Sequence, residues 1–402
     1  VSHSRAPLHL AVALDGAGRH PAAWREPGAR PGELFTARHW AALVAEAEAG
    51  LIDFVTFEDG LALQSASPTG HDERTDQVRG RLDAVLTAAR VAPLTRHIGL
   101  VPAVAATHTE PFHISKALAT LDHVSRGRAG LRIQVSGLPH EARHFGRRAA
   151  EIPADELYGE AADHVEVVRR LWDSWEDDAE IRDVATGRFV DRDKLHHIDF
   201  EGRHFKVRGP SITPRPPQGQ PVVSAAAAAG APGGAAPAYE LIARSADVGY
   251  LAAPTADGTR AAVAAVRLAR ERAGLAADPL HLFGDLTVFL DEDTAAARGR
   301  LKRLDALAGH PYDGGGTEVF TGTPAQLADL LLERREAGLS GFRLHPGVLA
   351  HDLPALTRGL VPQLQRRGAF RRAYEADTLR GLLGLARPAG RYGARTAPDS
   401  AA

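Results

Sequence analysis

The sequence predicts an α/β protein, a single (β/α)8 TIM barrel with insertions, on three observations. Short apolar strands alternate with amphipathic helices along the chain, no block is all helix or all strand, and the units number about eight. Alternation of this kind joins parallel strands through right-handed crossovers. An open nucleotide-binding sheet ranks second, because neither LHLAVALDGAG nor any later turn carries the GxGxxG fingerprint.

The first unit sets Trp40, Leu43, Val44 and Ala47 at helical spacing, stops at Gly50 and continues into the strand LIDFVTFED. The second places Leu82, Val85, Leu86 and Ala89 on one helical face, breaks at Pro93 and leads to HIGLVPAV. A third runs FHISKALATLDHVS, Gly127, AGLRIQVS. A long helix from about Asp155 to Trp175 follows, with Leu157, Ala161, Val165, Val168 and Trp172 as its apolar stripe. The pattern resumes at PVVS, AYELIARS with ADVGYLAA, TRAAVAAVRLARERAG before HLFGDLTVFL, and TPAQLADLLLERREAG before SGFRLHP.

One barrel domain is expected over residues 1–385, with an excursion at about 176–220 that carries turn chemistry and the proline cluster TPRPPQGQP. The Ala-rich segment 224–238 is expected as a mobile loop, and 386–402 as a flexible tail. The arginines of LQRRGAFRRAYEADTLR alternate with acids along an expected helix and read as a salt-bridged surface or subunit contact.

Hydrophobic residues make up 44% of the 402 and charged residues 24%, the balance of a chain that buries a large core. Lys+Arg 48 against Asp+Glu 50 gives net charge −2, so no global field attracts nucleic acid or an anionic membrane, and a small molecule is the expected partner. No apolar run reaches the roughly 20 residues that span a bilayer, and the start VSHSRAPLHLAVAL lacks the order of a secretory leader, so a cytoplasmic location is expected. Cys is absent, which excludes disulfides, thiolate metal sites and a cysteine nucleophile. There is no nucleophile elbow with Ser-His-Asp order. The densest metal-like cluster, Asp191, Asp193, His196 and His197, lies in the excursion and reads as a solvated turn.

Several stretches occur together and in order: GRHPAAWR at 18–25, LIDFVTFEDG, RHIGLVPAVAATHTEPFHISKALATLDHVSRGRAG, LYGEAADHVEVVRRLWDSWEDDA, HFKVRGPSITPRPPQGQPVV, FTGTPAQLADLLLERREAG and LVPQLQRRGAFRRAYEADTLRGLLGL. From about residue 8 to 385 the chain resembles the bacterial luciferase-like flavin-dependent monooxygenases, in the branch of the nitrilotriacetate and dibenzothiophene-sulfone monooxygenases. The resemblance implies a two-component system. A separate flavin reductase supplies FMN as FMNH2, which forms a hydroperoxyflavin with O2, and oxygen is inserted into a small organic substrate, nitrogen- or sulfur-containing. It also implies a homo-oligomer, a dimer or tetramer. Two alternatives stay open: a barrel that has lost flavin turnover and serves as a binding or structural protein, and a deazaflavin-dependent oxidoreductase.

Carried over position by position, the resemblance implies cofactor contacts at Asp59, Thr107, Arg132, Ser136, Tyr158 and Ala235. Each has a plainer reading: Asp59 as a cap, Thr107 as a turn hydroxyl, Tyr158 as core. Departures from the pattern are as prominent as matches. Leu131 and Arg132 stand where relatives show Trp-Asn, and Arg132 either pairs with an anionic ring or phosphate or fills the pocket. Val135 replaces the first residue of a Thr-Ser pair, and Ala154 replaces a histidine. A Gly-x-Ser-x-x-Gly phosphate loop becomes Gly233, Ala235 and Ala238, keeping backbone donors without the hydroxyl. His20 and His345 are the candidates for proton transfer, and Trp24 for a lid over the barrel end. Glu110, before Pro111, reads as structural.

Overall fold

The computed structural model describes residues 7–65, 72–148, 151–227 and 230–393. Eight strands form the barrel: β1 (His9–Leu14), β2 (Phe54–Phe57), β3 (Gly99–Ala105), β4 (Gly130–Gln134), β5 (Val222–Ala227), β6 (Val248–Leu251), β7 (His281–Leu290) and β8 (Gly341–Pro346). Every neighbouring pair is parallel, and pairing of β6 with β7 and of β8 with β1 closes the ring. β7 is long enough for a second role. Its inner half pairs with β6, and its outer half, from Leu286 to Leu290, carries an extra strand, Glu318–Gly322.

Helices cover the outside, each started by local chemistry. Thr36, Asp83, Thr255 and Asp293 accept a backbone N–H from the first turns of the helices Ala37–Ala49, Ala84–Val91, Ala256–Arg272 and Thr294–Ala308. Thr323 and Gln326 form a reciprocal capping box for Pro324–Arg335. No helix among the described residues is long and apolar enough to cross a membrane.

Strand periodicity sorts the barrel interior into layers, because residues two apart share a face. Ala11, Phe54, Val101, Val222, Val248 and Phe283 make an apolar lower layer, closed from beneath by Leu379, Leu383 and Leu385 near the end of the chain. Two residues further along the same faces stand Thr56, Arg132, Asp285 and Arg343; the next step brings Glu58, Gln134 and His345. The barrel is thus dry and apolar at the bottom and charged toward the C-terminal mouth.

Three expectations need correction. The Ala-rich segment 224–238 is regular at both ends: β5 runs through Ala227, and the helix Ala235–Ser245 takes up the last four residues of the segment. The helix expected through LQRRGAFRRAYEADTLR ends at Arg366; Gly368 takes φ +65, and the chain then passes under the barrel, tied by Arg371 to Asp53 and by the Tyr374 hydroxyl to the Ile52 carbonyl at 2.8 Å. The tail is anchored as far as it is described: Arg387 pairs with Asp177, Arg391 with Glu166 at 2.8 Å, and Tyr392 stacks on His196. Residues 394–402 lie outside the described part. The excursion consists of two small hairpins, Glu180–Asp183 with Arg188–Val190 and Phe200–Glu201 with Lys206–Val207.

Asp122, buried on the helix Pro111–Ser125, joins three of these parts. It accepts the Gln218 backbone N–H at 3.1 Å, the Gln218 side-chain amide at 2.6 Å and the Ala129 N–H at 3.1 Å, while Gln218 accepts the Arg380 N–H of the closing segment at 2.8 Å. Burial raises its pKa to about 6 against these hydrogen bonds, which pull it down. A carboxyl whose folded pKa lies above its unfolded value stabilises the fold when protonated, and that contribution disappears as pH rises through the folded pKa. Urea unfolding of wild type and Asp122→Asn should therefore show a wild-type advantage that shrinks between about pH 4 and pH 7; parallel pH profiles would contradict this role.

Candidate active site

The charged layer is a connected set. Glu58, one residue past β2, accepts the Arg132 guanidinium at 2.6 Å and the Thr56 hydroxyl at 3.1 Å. Arg343 on β8 stands 3.6 Å from Glu58 and binds Asp285 on β7 through two nitrogens, at 2.9 and 2.7 Å. The paired register of Asp285 and Arg343 on adjacent strands makes this fork possible. His345, two residues beyond Arg343 on the same face, places Nε2 2.7 Å from Asp285. The Arg343 guanidinium lies 4.0 Å over the Tyr250 ring.

Burial by itself would raise Glu58, yet Arg132, Arg343, His345 and Arg19 outweigh it and hold the carboxyl at about 2. Asp285 is likewise held far below the ordinary carboxylate range, burial being overcome by Arg343 and His345. Both are anions at neutral pH. Burial lowers His345 below its ordinary value despite Asp285. A neutral imidazole facing an acceptor-only carboxylate must carry its hydrogen on Nε2, which leaves the Nδ1 lone pair as the proton acceptor.

Beside this layer the loop after β1 lines a cleft of about 390 Å³ with Asp15, Arg19, Trp24, Arg81 and Tyr312 among its walls. The loop is drawn tightly onto the end of β8: Arg19 and His20 donate backbone N–H groups to Pro346 and Gly347 at 2.9 and 3.1 Å. Gly18, at φ +140, faces the Gly347 carbonyl so closely that a side chain would collide with it. Trp24 donates its indole N–H to the Asp76 carbonyl at 3.0 Å and lines the cleft. His20 is also in the wall, but both ring nitrogens are engaged, Nε2 with Asp305 at 3.1 Å and Nδ1 with the Ala22 N–H at 3.1 Å. Its position ties loop to helix, so of these two histidines His345 is the one with a ring nitrogen to spare.

On the opposite side, Thr107 accepts the Ser136 N–H at 3.0 Å, and the Ser136 hydroxyl donates to Glu141. Tyr158 lies on the helix Ala154–Asp173, largely buried, and burial raises its pKa. A loop of glycines at positive φ, Gly230, Gly233 and Gly234, leads into the helix Ala235–Ser245, whose N-terminus has no side-chain cap. Positions Gly230 and Gly234 look into open space, whereas a Cβ on Gly233 would sit 2.5 Å from that of Ala154. Pro237 has no N–H, so the free donors at this helix start are those of Ala235 and Ala236.

The structure thus brings Arg132 and His345 into one network, Thr107 and Ser136 into one contact, and Ala154 against the Ala235 loop. Asp59 stands apart, spending its oxygens on the N–H groups of Gly60 and Ala84 at 2.7 and 2.9 Å as a helix cap. Leu131 points outward into the helix-packed core. Glu110 precedes the helix Pro111–Ser125 without capping it and lies 3.6 Å from Arg147. In the excursion, His196 pairs with Glu176 at 2.7 Å, His197 with the Gly209 carbonyl, and Asp191 with the Asp193 N–H; no metal-holding group occurs among the described residues. Reading the sequence missed Glu58, Asp285, Arg343, Arg19 and Tyr312. A period-2 count from Phe54 puts Glu58 inward and Asp59 outward, and a lone charge inside HLFGDLTVFL or GFRLHP is the same kind of signal.

The luciferase-like monooxygenase family matches residues 19–341. Nitrilotriacetate monooxygenase component A of Aminobacter aminovorans is 30% identical over 95% of this chain and 97% of its own length. The crystal structure of a long-chain alkane monooxygenase superposes with a TM-score of 0.85 at 24% identity, covering 94% of this chain and 96% of that one. A riboflavin lyase solved with modified FMN and riboflavin gives 0.83 at 25% identity over 96% and 97% of the two chains. A closed parallel barrel with its charged mouth at the strand C-termini, matched over nearly its whole length, belongs to the luciferase-like monooxygenase family.

Proposed function

We propose that the chain is the oxygenase component of a two-component, flavin-dependent monooxygenase, taking reduced FMN from a separate reductase in the cytoplasm and acting on a small organic substrate as a homo-oligomer. The observation that carries this reading is the pairing of a buried, charge-matched barrel mouth and its unoccupied His345 Nδ1 with an adjoining cleft of substrate size. The riboflavin lyase bound to modified FMN supports the choice of cofactor.

The residues present fit a phosphate-bearing flavin. The open glycine positions and the uncapped start of Ala235–Ser245 offer Ala235 and Ala236 N–H groups to a phosphate, with the Tyr158 phenol as a further donor. Asp155 and Glu156 in the first turn of the facing helix repel an anion there, which favours the Ala235 side for a phosphate. Arg132 and the Thr107 hydroxyl are the groups for the polar edge of the ring. A reduced flavin bound in this way supplies the electrons that activate O2, so that one oxygen atom enters the substrate and the other leaves as water.

The chain's own contribution is positional. Glu58 and Asp285 fix Arg132, Arg343 and His345 in orientation, so little rearrangement is needed when charge shifts nearby. Trp24 and the loop clamped on Gly347 keep bulk water from the cleft. His345 takes a proton at Nδ1, with Asp285 stabilising the resulting imidazolium, and returns it later in turnover.

Anaerobic titration should show saturable binding of reduced FMN, and mixing with O2 should release less peroxide than free reduced FMN does; absence of binding would overturn the reading. Ala235→Ser should tighten FMN binding by roughly tenfold, the size of one hydrogen bond to a charged acceptor. His345→Gln should leave the FMN dissociation constant in place while lowering kcat roughly a hundredfold and flattening the acid limb of the pH profile.

A further inference from the structure

Among the described arginines of the cleft, Arg19 is the one held least closely by a carboxylate. The carboxylates that act on it are Glu58, Asp15 and Asp285, with the Tyr312 phenol beside it. Each of these acids is held more closely by a different arginine. Glu58 lies 2.6 Å from Arg132, Asp285 2.7 Å from Arg343, and Asp15 takes Arg81 through two nitrogens at 3.0 and 2.7 Å. Arg19 reaches Asp15 only at 4.0 Å, and among the described residues its side chain donates to the Gly315 carbonyl at 3.0 Å. Asp313 on the rim is exposed and accepts the Gly315 N–H.

A guanidinium presents five donors in a planar fork, and one carbonyl uses one of them. The fork stands where the notional Cβ of Gly315 is 3.3 and 3.4 Å from two of its nitrogens and 3.5 Å from the Tyr312 hydroxyl, so both donors address the same corner of the cleft. Trp24, Val78 and Pro21 add apolar surface to the same cleft. A cleft of about 390 Å³ whose lining combines a cationic fork with apolar side chains suits a small amphiphilic anion.

Resting on the monooxygenase reading, we propose that the substrate is a small organic carboxylate, with its carboxylate held by the Arg19 guanidinium and the Tyr312 hydroxyl and its apolar part against Trp24. The partly desolvated setting of Arg19 strengthens such a pair relative to one in open solvent, and an uncharged amide in the same place offers no charge to match it.

The test is a binding experiment on the flavin-free protein. Acetate, succinate, iminodiacetate and benzoate are each compared with their uncharged amides by thermal shift and by tryptophan fluorescence. The expected result is saturable stabilisation by at least one carboxylate, at least tenfold tighter than its amide. Arg19→Met should lose this preference at unchanged circular dichroism, and Arg19→Lys should restore part of it. Equal binding of carboxylates and amides by wild type, no binding of either, or an unaffected Arg19→Met would overturn the proposal. The flavin reading stands or falls separately on the FMN titration: carboxylate binding without FMN binding removes only the monooxygenase reading, and the reverse removes only the substrate class.

Discussion

Two buried carboxylates, Glu58 and Asp285, organise the inside of the barrel mouth. Without them Arg132 and Arg343 would be guanidiniums stranded in an interior with no other carboxylate so near, a situation that costs about 3–5 kcal/mol for each broken pair. With them, four charged side chains from β2 and its end, β4, β7 and β8 close into one charge-matched layer across the barrel. Such pairs add little net stability compared with a packed apolar layer, since desolvation offsets most of the attraction. The lower layer of Phe54, Val101 and Phe283 shows that this barrel does fill itself with apolar side chains where only packing is at stake. Charge is concentrated at the end of the strands where barrel enzymes carry out their chemistry.

The same layer sets the state of the groups around it. Asp285 fixes both the ring orientation and the tautomer of His345. The matching of Glu58 with Arg132 and of Asp15 with Arg81 leaves Arg19 as the cation facing the cleft. One arrangement of pairs therefore gives the mouth a neutral proton acceptor on one side and an anion-binding fork on the other. The lack of a hydroxyl at Ala235 removes a side-chain donor on the far side, so the backbone of the glycine loop and the helix start carry a larger share of any phosphate binding there.

The fold was legible because largely apolar strands alternate with amphipathic helices; HLFGDLTVFL is found as β7 with its limits unchanged. The misreadings have physical causes. Alanine is the strongest helix former and is depleted in strands, so the extension of β5 to Ala227 runs against local propensity and depends on pairing with β4 and β6. The segment after Arg366 has helical spacing of charges, yet Gly368 and the demand for a plug beneath the barrel override it. In the site, position-by-position resemblance pointed to Asp59, while strand phase places its neighbour Glu58 inside. Pairings such as Asp285 with His345 and Arg19 with Tyr312 join distant parts of the chain and are set by barrel closure.

The central claim is that burial keeps His345 neutral while Asp285 fixes its proton on Nε2 and leaves Nδ1 as the acceptor. Nitrogen-15 NMR of histidine-labelled protein, with His345 assigned by comparison with His345→Gln, measures this directly. A protonated Nε2 and bare Nδ1 at pH 7, with a titration midpoint below the ordinary histidine value, is the predicted result. A doubly protonated ring at pH 7, or the proton on Nδ1, would contradict it.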